Sequence, residues 1–172
     1  MSNHENKPQS VEWITPPWLL DALEWEFGKF DLDPCACGQH LHDRFTQYFT
    51  PEMNGLSQPW HGNVFMNPPY GNGVADWVTK ASIETLSGSA FQVVCLLPAR
   101  TDTQWWMPCR SAHEWMFIQG RVHFYRPDGT EGGAGAFPSV VVVFKRGNRY
   151  WGGPTMTHVS RDKLKEQFDG KS

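Results

Sequence analysis

Apolar residues fall into two patterns along the chain. Asn63-Val64-Phe65-Met66, the stretch 91–97 and Val140-Val141-Val142-Val143-Phe144 are nearly continuous short apolar runs. Runs of that length, closed by turn formers, predict strands buried on both faces of a sheet. Shorter strands are expected at Phe30-Asp31-Leu32-Asp33, around Tyr48-Phe49 and at Trp115-Met116-Phe117-Ile118. Ahead of all these runs, Trp18, Leu19, Ala22, Leu23 and Phe27 recur at helical spacing. They predict an amphipathic helix with Thr15 as its N-cap, Pro16 at its first position and Gly28 at its end. Trp77, Lys80 and Ala81 belong to a second helix of roughly a dozen residues that ends near Gly88, and Trp105, Trp106, Cys109 and Ala112 to a short third one. A glycine-rich loop is expected from Pro127 to Gly135. The polar stretches 1–10 and 151–172 read as tails around one domain, 11–150.

The chemistry concentrates where the first continuous run stops, at Asn67-Pro68-Pro69-Tyr70. Neither proline can donate to a strand ladder, so the chain leaves the sheet there. Each proline also pushes the residue before it towards extended geometry. The product is a stiff turn that displays one amide, one carbonyl and one aromatic ring. An exocyclic amino group on a planar ring is a poor nucleophile, because its lone pair is delocalised. Two acceptors on its two N–H groups, the Asn67 side-chain oxygen and the Pro68 carbonyl, localise that pair. Tyr70 supplies a ring on which the acceptor stacks.

Charge adds a direction. The net charge is −3, which argues against a protein that coats nucleic acid. Residues 1–90 hold 4 Lys and Arg against 11 Asp and Glu, whereas residues 91–172 hold 11 against 7. An acidic half followed by a basic half suits a polyanion contact on one side. No apolar run approaches the roughly 18 residues of a membrane span, so a cytoplasmic protein with reduced thiols and no membrane contact is expected. Cys35, Cys37, His40 and His42 lie close together, but their spacing does not match the usual zinc clip, and no metal site is expected.

Taken in order, the proline-started helix, Asp33-Pro34-Cys35-Ala36, the Asn-Pro-Pro-Tyr turn, Pro98-Ala99-Arg100-Thr101-Asp102, and Gly120-Arg121-Val122-His123-Phe124 resemble the phage-type Dam family of DNA adenine-N6 methyltransferases over residues 11–146. The resemblance implies a small Rossmann-like α/β fold, a mostly parallel sheet with one antiparallel strand. It implies S-adenosyl-L-methionine as cofactor, held by Thr15 and Pro16, by Asp31, Asp33, Pro34, Cys35 and Ala36, by Asn54 and Leu56, and by Asn67 itself. Asn54 stands where the family usually has an aspartate; Glu52 is the nearest acid for the ribose. Asn67, Pro68, Pro69 and Tyr70 are the implied catalytic set. Double-stranded DNA is the implied partner of a monomer, met by Tyr70, Arg100, Arg121, Phe124 and Arg126. At this length, recognition falls to the loops 71–75 and 126–137. The turn itself leaves open a glutamine side chain of a protein as acceptor, or a catalytically silent DNA-binding module of the same fold.

Overall fold

The computed structural model describes residues 13–37, 43–71, 73–147 and 153–169. Within them helix α1 (Pro17–Phe27) is followed by strands β1 (Leu32–Asp33), β2 (Gln47–Tyr48) and β3 (Gly62–Met66). Helix α2 (Val74–Leu86), β4 (Ala90–Pro98), β5 (Glu114–Gln119), β6 (His123–Tyr125), β7 (Glu131–Ala134), β8 (Ser139–Lys145), β9 (Thr155–Ser160) and α3 (Arg161–Phe168) complete the order. Seven strands form one sheet in the order β2-β1-β3-β4-β8-β5-β9, and β6 with β7 makes a separate hairpin. Every pairing in the large sheet is parallel except those of β8, which runs antiparallel to both β4 and β5. The expected Rossmann-like α/β sheet with one reversed strand is therefore present.

The alternation along β4 builds the two cores. Val93, Cys95 and Leu97 point to the face covered by α2, where Trp60, Trp77 and Val78 pack. Val94 and Leu96 point to the other face, towards Leu19, Leu23 and Phe65. Side chains alternate across a strand, so one apolar run serves both cores.

Several expectations shift. Helix α1 starts at Pro17, not Pro16, and Pro16 is its N-cap with ψ 136°. A residue before proline is held out of the helical region, so the second proline moves the start by one. Thr15 is thus not the cap. Residues 104–111 form a 3-10 helix with Pro108 inside it. The expected loop 127–135 contains β7, paired with β6. The largest difference is at the C-terminal end. Within 151–172, read as a tail, β9 pairs in parallel with all six residues of β5. Ser160 then caps α3, which lays Phe168 beside Trp25 with ring centroids 6.4 Å apart. An edge strand has only one neighbour and an exposed flank, so its polar composition hides it. Residues 1–10, His40, His42 and Trp151 lie outside the described residues.

Candidate active site

In an open parallel sheet, the crevice for ligands lies where the strand order reverses. Here the chain goes from β1 outwards to β2 and then back to β3 on the other side of β1. The carboxyl ends of β1 and β3 therefore part at one point. A cavity of about 210 Å3 lies there, walled by Pro34, Cys35 and Cys37 from the exit of β1 and by Asn67, Pro68, Pro69 and Tyr70 from the exit of β3. Trp13, Thr50, Pro51, Asn54, Gly55 and Trp77 close it.

Asp33 ends β1 with its side chain 6% exposed, and its Oδ1 accepts from the Cys35 N–H at 3.0 Å. Burial raises its pKa from 3.8 to about 7, against the opposing effect of the Cys35 hydrogen bonds. The Cys35 thiol is driven well above its ordinary value by burial, then by the charges of Asp33 and Cys37; the Asn67 backbone N–H works the other way. It therefore stays a thiol and is a poor nucleophile. Asn54 takes the left-handed conformation, with φ 50°. This brings Gly55 so close to the β1 exit that a Cβ on it would stand 1.8 Å from the Pro34 carbonyl oxygen. Only glycine permits that approach. The Gly55 carbonyl in turn accepts from the Trp60 indole N–H at 2.9 Å, and Trp60 stacks on Trp77.

The Asn67 side chain donates through Nδ2 to the Thr15 hydroxyl at 3.0 Å. Its Oδ1 receives no hydrogen bond from another described residue. Tyr70 bonds the Leu96 carbonyl at 3.4 Å and meets the Phe124 ring edge-on, with centroids 6.3 Å apart. Burial pushes its phenol above the ordinary value, so it stays protonated. Beyond Tyr70 and Trp13 lies a second cavity of about 390 Å3, walled also by Pro98, Phe124, Phe137, Ser139 and the small residues 133–136. At its rim the Arg100 guanidinium lies 5.1 Å over the Phe137 ring.

The structure brings together only part of the expected site. Pro34, Cys35, Asn54, Asn67, Pro68, Pro69 and Tyr70 line the first cavity, and Asp33, which does not line it, bonds the N–H of Cys35, which does. Asp31 does not reach it: its carboxylate accepts from the Asn63 N–H at 2.8 Å and closes the start of β3 instead. Leu56 packs into the core under α2. Ala36 is buried, with its N–H given to the Phe49 carbonyl. Thr15 stands behind Asn67 and Pro16 at the helix start, where its carbonyl accepts from Leu19 and Leu20. Glu52 is exposed and held below the usual carboxylate range by the Thr50 hydroxyl; its neighbours Thr50 and Pro51 line the cavity in its stead. Phe124 lines the second cavity as expected. Arg121 is spent on the carbonyls of Gly135 and Ala136, and Arg126 on Thr130 and the Glu131 carbonyl. Both hold the hairpin loop in shape. Trp13, Trp77 and Phe137 were missed, since each looks from its own neighbourhood like an ordinary core aromatic.

The sequence pattern of the family described as DNA N-6-adenine-methyltransferase (Dam) matches residues 2–170. A DNA N-6-adenine-methyltransferase of Escherichia phage T1 is 33% identical over 119 residues, covering 66% of this chain and 48% of the phage protein. The chain thus spans about half the length of the curated relative it matches. A crystal structure of a predicted O-methyltransferase from Agrobacterium tumefaciens overlaps 62% of this chain and 44% of its own at 23% identity, with a TM-score of 0.35.

Proposed function

This chain belongs to the family of DNA N-6-adenine-methyltransferases (Dam), and from that premise we propose that it methylates the exocyclic amino group of an adenine flipped out of duplex DNA, with S-adenosyl-L-methionine as methyl donor. The observation that carries the reading is the Asn67 amide. Its nitrogen is held by Thr15, its oxygen takes no hydrogen bond from another described residue, and the side chain lines the cavity at the strand-order reversal.

The residues present suit the cofactor. Its cationic amino end needs a carboxylate, and Asp33 is a buried one, bonded to the Cys35 N–H at the cavity wall, with its pKa raised by burial. Gly55, pressed against Pro34, puts no side chain on that wall of the cavity, and the Asn54 amide is a neutral acceptor for an amino group. When bound, S-adenosyl-L-methionine supplies an electrophilic sulfonium methyl group.

The chain does the rest by placement. Asn67 Oδ1 and the Pro68 carbonyl accept from the two N–H groups of the adenine amino nitrogen, so that its lone pair faces the first cavity. Tyr70 carries the base, and the second cavity beyond it, walled by Phe124 and Phe137, gives the ring an apolar seat. As the amino nitrogen bonds the methyl carbon, the carbon–sulfur bond breaks with its electron pair left on sulfur, and the amino group sheds one proton to water. Cys35, kept protonated, takes no part as a nucleophile. Arg100, at the rim, is placed for a phosphate of the extruded nucleotide.

The test uses labelled S-adenosyl-L-methionine and unmethylated duplex DNA, followed by digestion to nucleosides. Label is expected in N6-methyladenine. Asn67→Ala should lower turnover by about 100-fold or more, as for loss of a transition-state acceptor, while cofactor binding stays. Cofactor binding with label only in protein, or with no label anywhere, would overturn the proposal.

A further inference from the structure

We propose, resting on the function given above, that Ser139 is a base-binding residue: its hydroxyl donates to N1 of the extruded adenine in the second cavity. The walls there are mostly apolar, with Pro98, Phe124, Phe137 and the small residues 133–136. Adenine is not an apolar ring. Asn67 and Pro68 meet its amino group, but its ring nitrogens are acceptors that lose their water on entry. A buried acceptor without a donor is costly, so a seat for adenine needs one. Three polar side-chain groups stand in the wall. The Tyr70 hydroxyl is spent on the Leu96 carbonyl. Trp13 turns Cζ3 and Cη2 to Gly132, so its indole N–H lies on the far side of the ring from the hairpin. Ser139 is left. It is 4% exposed, and its Oγ is neither hydrogen-bonded to another described residue nor sealed in the core.

The shape of the base selects the nitrogen. N9 carries the sugar and so points to the mouth, towards the DNA strand. N3 and N7 flank it, whereas N1 lies on the opposite side of the base, next to the amino group. A donor buried in the wall therefore faces N1. A hydroxyl can donate or accept, but N1 of adenine only accepts, so the base itself sets the direction of the bond. The sheet register puts both ends of that edge within reach. Met66, the last residue of β3, is level with Cys95 of β4, and Ser139 is level with Pro98. Asn67 and Ser139 thus stand two strands and about two residues apart, roughly 12 Å between Cα atoms. Their two side chains, two hydrogen bonds of about 2.9 Å and the N6–N1 edge fill that gap. Both side chains lie on the α1 face of the sheet. Asn67 bonds Thr15, just before α1, and Ser139 is in step with Val141 and Val143, which pack against that helix's core.

A cycle of enzyme variant against base analogue tests this, at the target position that nucleoside mapping gives. Ser139→Ala should lower kcat/KM on adenine about tenfold, the effect of one hydrogen bond. The Kd for S-adenosyl-L-methionine should stay within about twofold, since Ser139 does not line the first cavity. With 1-deazaadenine, in which a C–H replaces N1, wild type and Ser139→Ala should be equal. With 7-deazaadenine the gap of about tenfold should return. Equal kcat/KM of the two proteins on adenine would overturn the inference. So would a gap that persists on 1-deazaadenine, which would give Ser139 a part in the shape of the cavity only. A gap that closes on 7-deazaadenine instead would put the N7 edge at Ser139 and overturn the choice of N1. Should the alanine variant not fold, Ser139→Cys enters the same cycle as a weaker donor. A wild type that labels no adenine at all fails the function proposed above. Labelled adenine with no gap between the two proteins fails Ser139 alone.

Discussion

Asparagine at position 33 keeps the shape of the side chain and an acceptor for the Cys35 N–H, and removes a charge that burial disfavours. The carboxyl pKa is raised from 3.8 to about 7. A rise of that size corresponds to about 4 kcal/mol. The sign follows from which state keeps its proton. The folded chain holds it to higher pH than the unfolded chain, so the favourable contribution is complete below about pH 4 and is lost as pH rises through 7. Between pH 5 and pH 8 that loss amounts to about 2–3 kcal/mol. Asp33→Asn cannot lose it. The variant should therefore gain on the wild type by roughly 5–10 °C in Tm between those two pH values, for a domain of this size. Cofactor binding should go the other way. A cationic amino group needs the ionised carboxylate, so wild-type affinity for S-adenosyl-L-methionine should rise with pH through 7. That of Asp33→Asn should be weak and flat. Thermal unfolding of both proteins from pH 5 to 8.5, with calorimetric titration of the cofactor alongside, measures both effects. Unfolding curves that stay parallel across that range would refute the reasoning.

Gly55→Ala should cost about 3 kcal/mol by urea unfolding, since its Cβ would meet backbone rather than a movable side chain. The same variant should weaken the cofactor at least tenfold by calorimetry. Tyr70→Phe should change stability by less than about 1 kcal/mol, because the lost hydrogen bond to Leu96 is long. Tyr70→Ala removes a stacking surface worth about 1–3 kcal/mol. Fluorescence of 2-aminopurine at the target position should report less of the extruded base with alanine and no change with phenylalanine.

What was legible in the sequence was whatever a single stretch decides by itself. β3, β4 and β8 are continuous apolar runs, and the turn after β3 is imposed by two prolines that cannot donate. What was not legible depends on partners far along the chain. Asp31 looks like a twin of Asp33, yet it lies just before β1 begins and turns towards Gly62, whose lack of a Cβ leaves room for the carboxylate. Arg121 and Arg126 look free for phosphate until the carbonyls of their own hairpin are counted. Trp13 became a wall of both cavities only when the fold brought Gly132 beneath it. β9 and α3 are too polar to announce themselves, because each buries only one side.

The position of β8 has a bearing on how the chain is made. β4 and β5 run in the same direction and never pair with each other; β8 lies between them and bonds to both. During synthesis β4 is thus complete long before its second neighbour exists. At about 5–20 residues per second, the 47 residues from Pro98 to Lys145 take the ribosome roughly 2–9 s. For that interval the Val- and Leu-rich edge of β4 is open to strands of other nascent chains, and the last piece to arrive is itself the most aggregation-prone segment. Pro138 before it, Lys145 at its end and Arg146 after it are the residue types that guard such segments. Yield from a translating cell, more than the stability of the finished fold, is the property that substitutions at these three positions should govern.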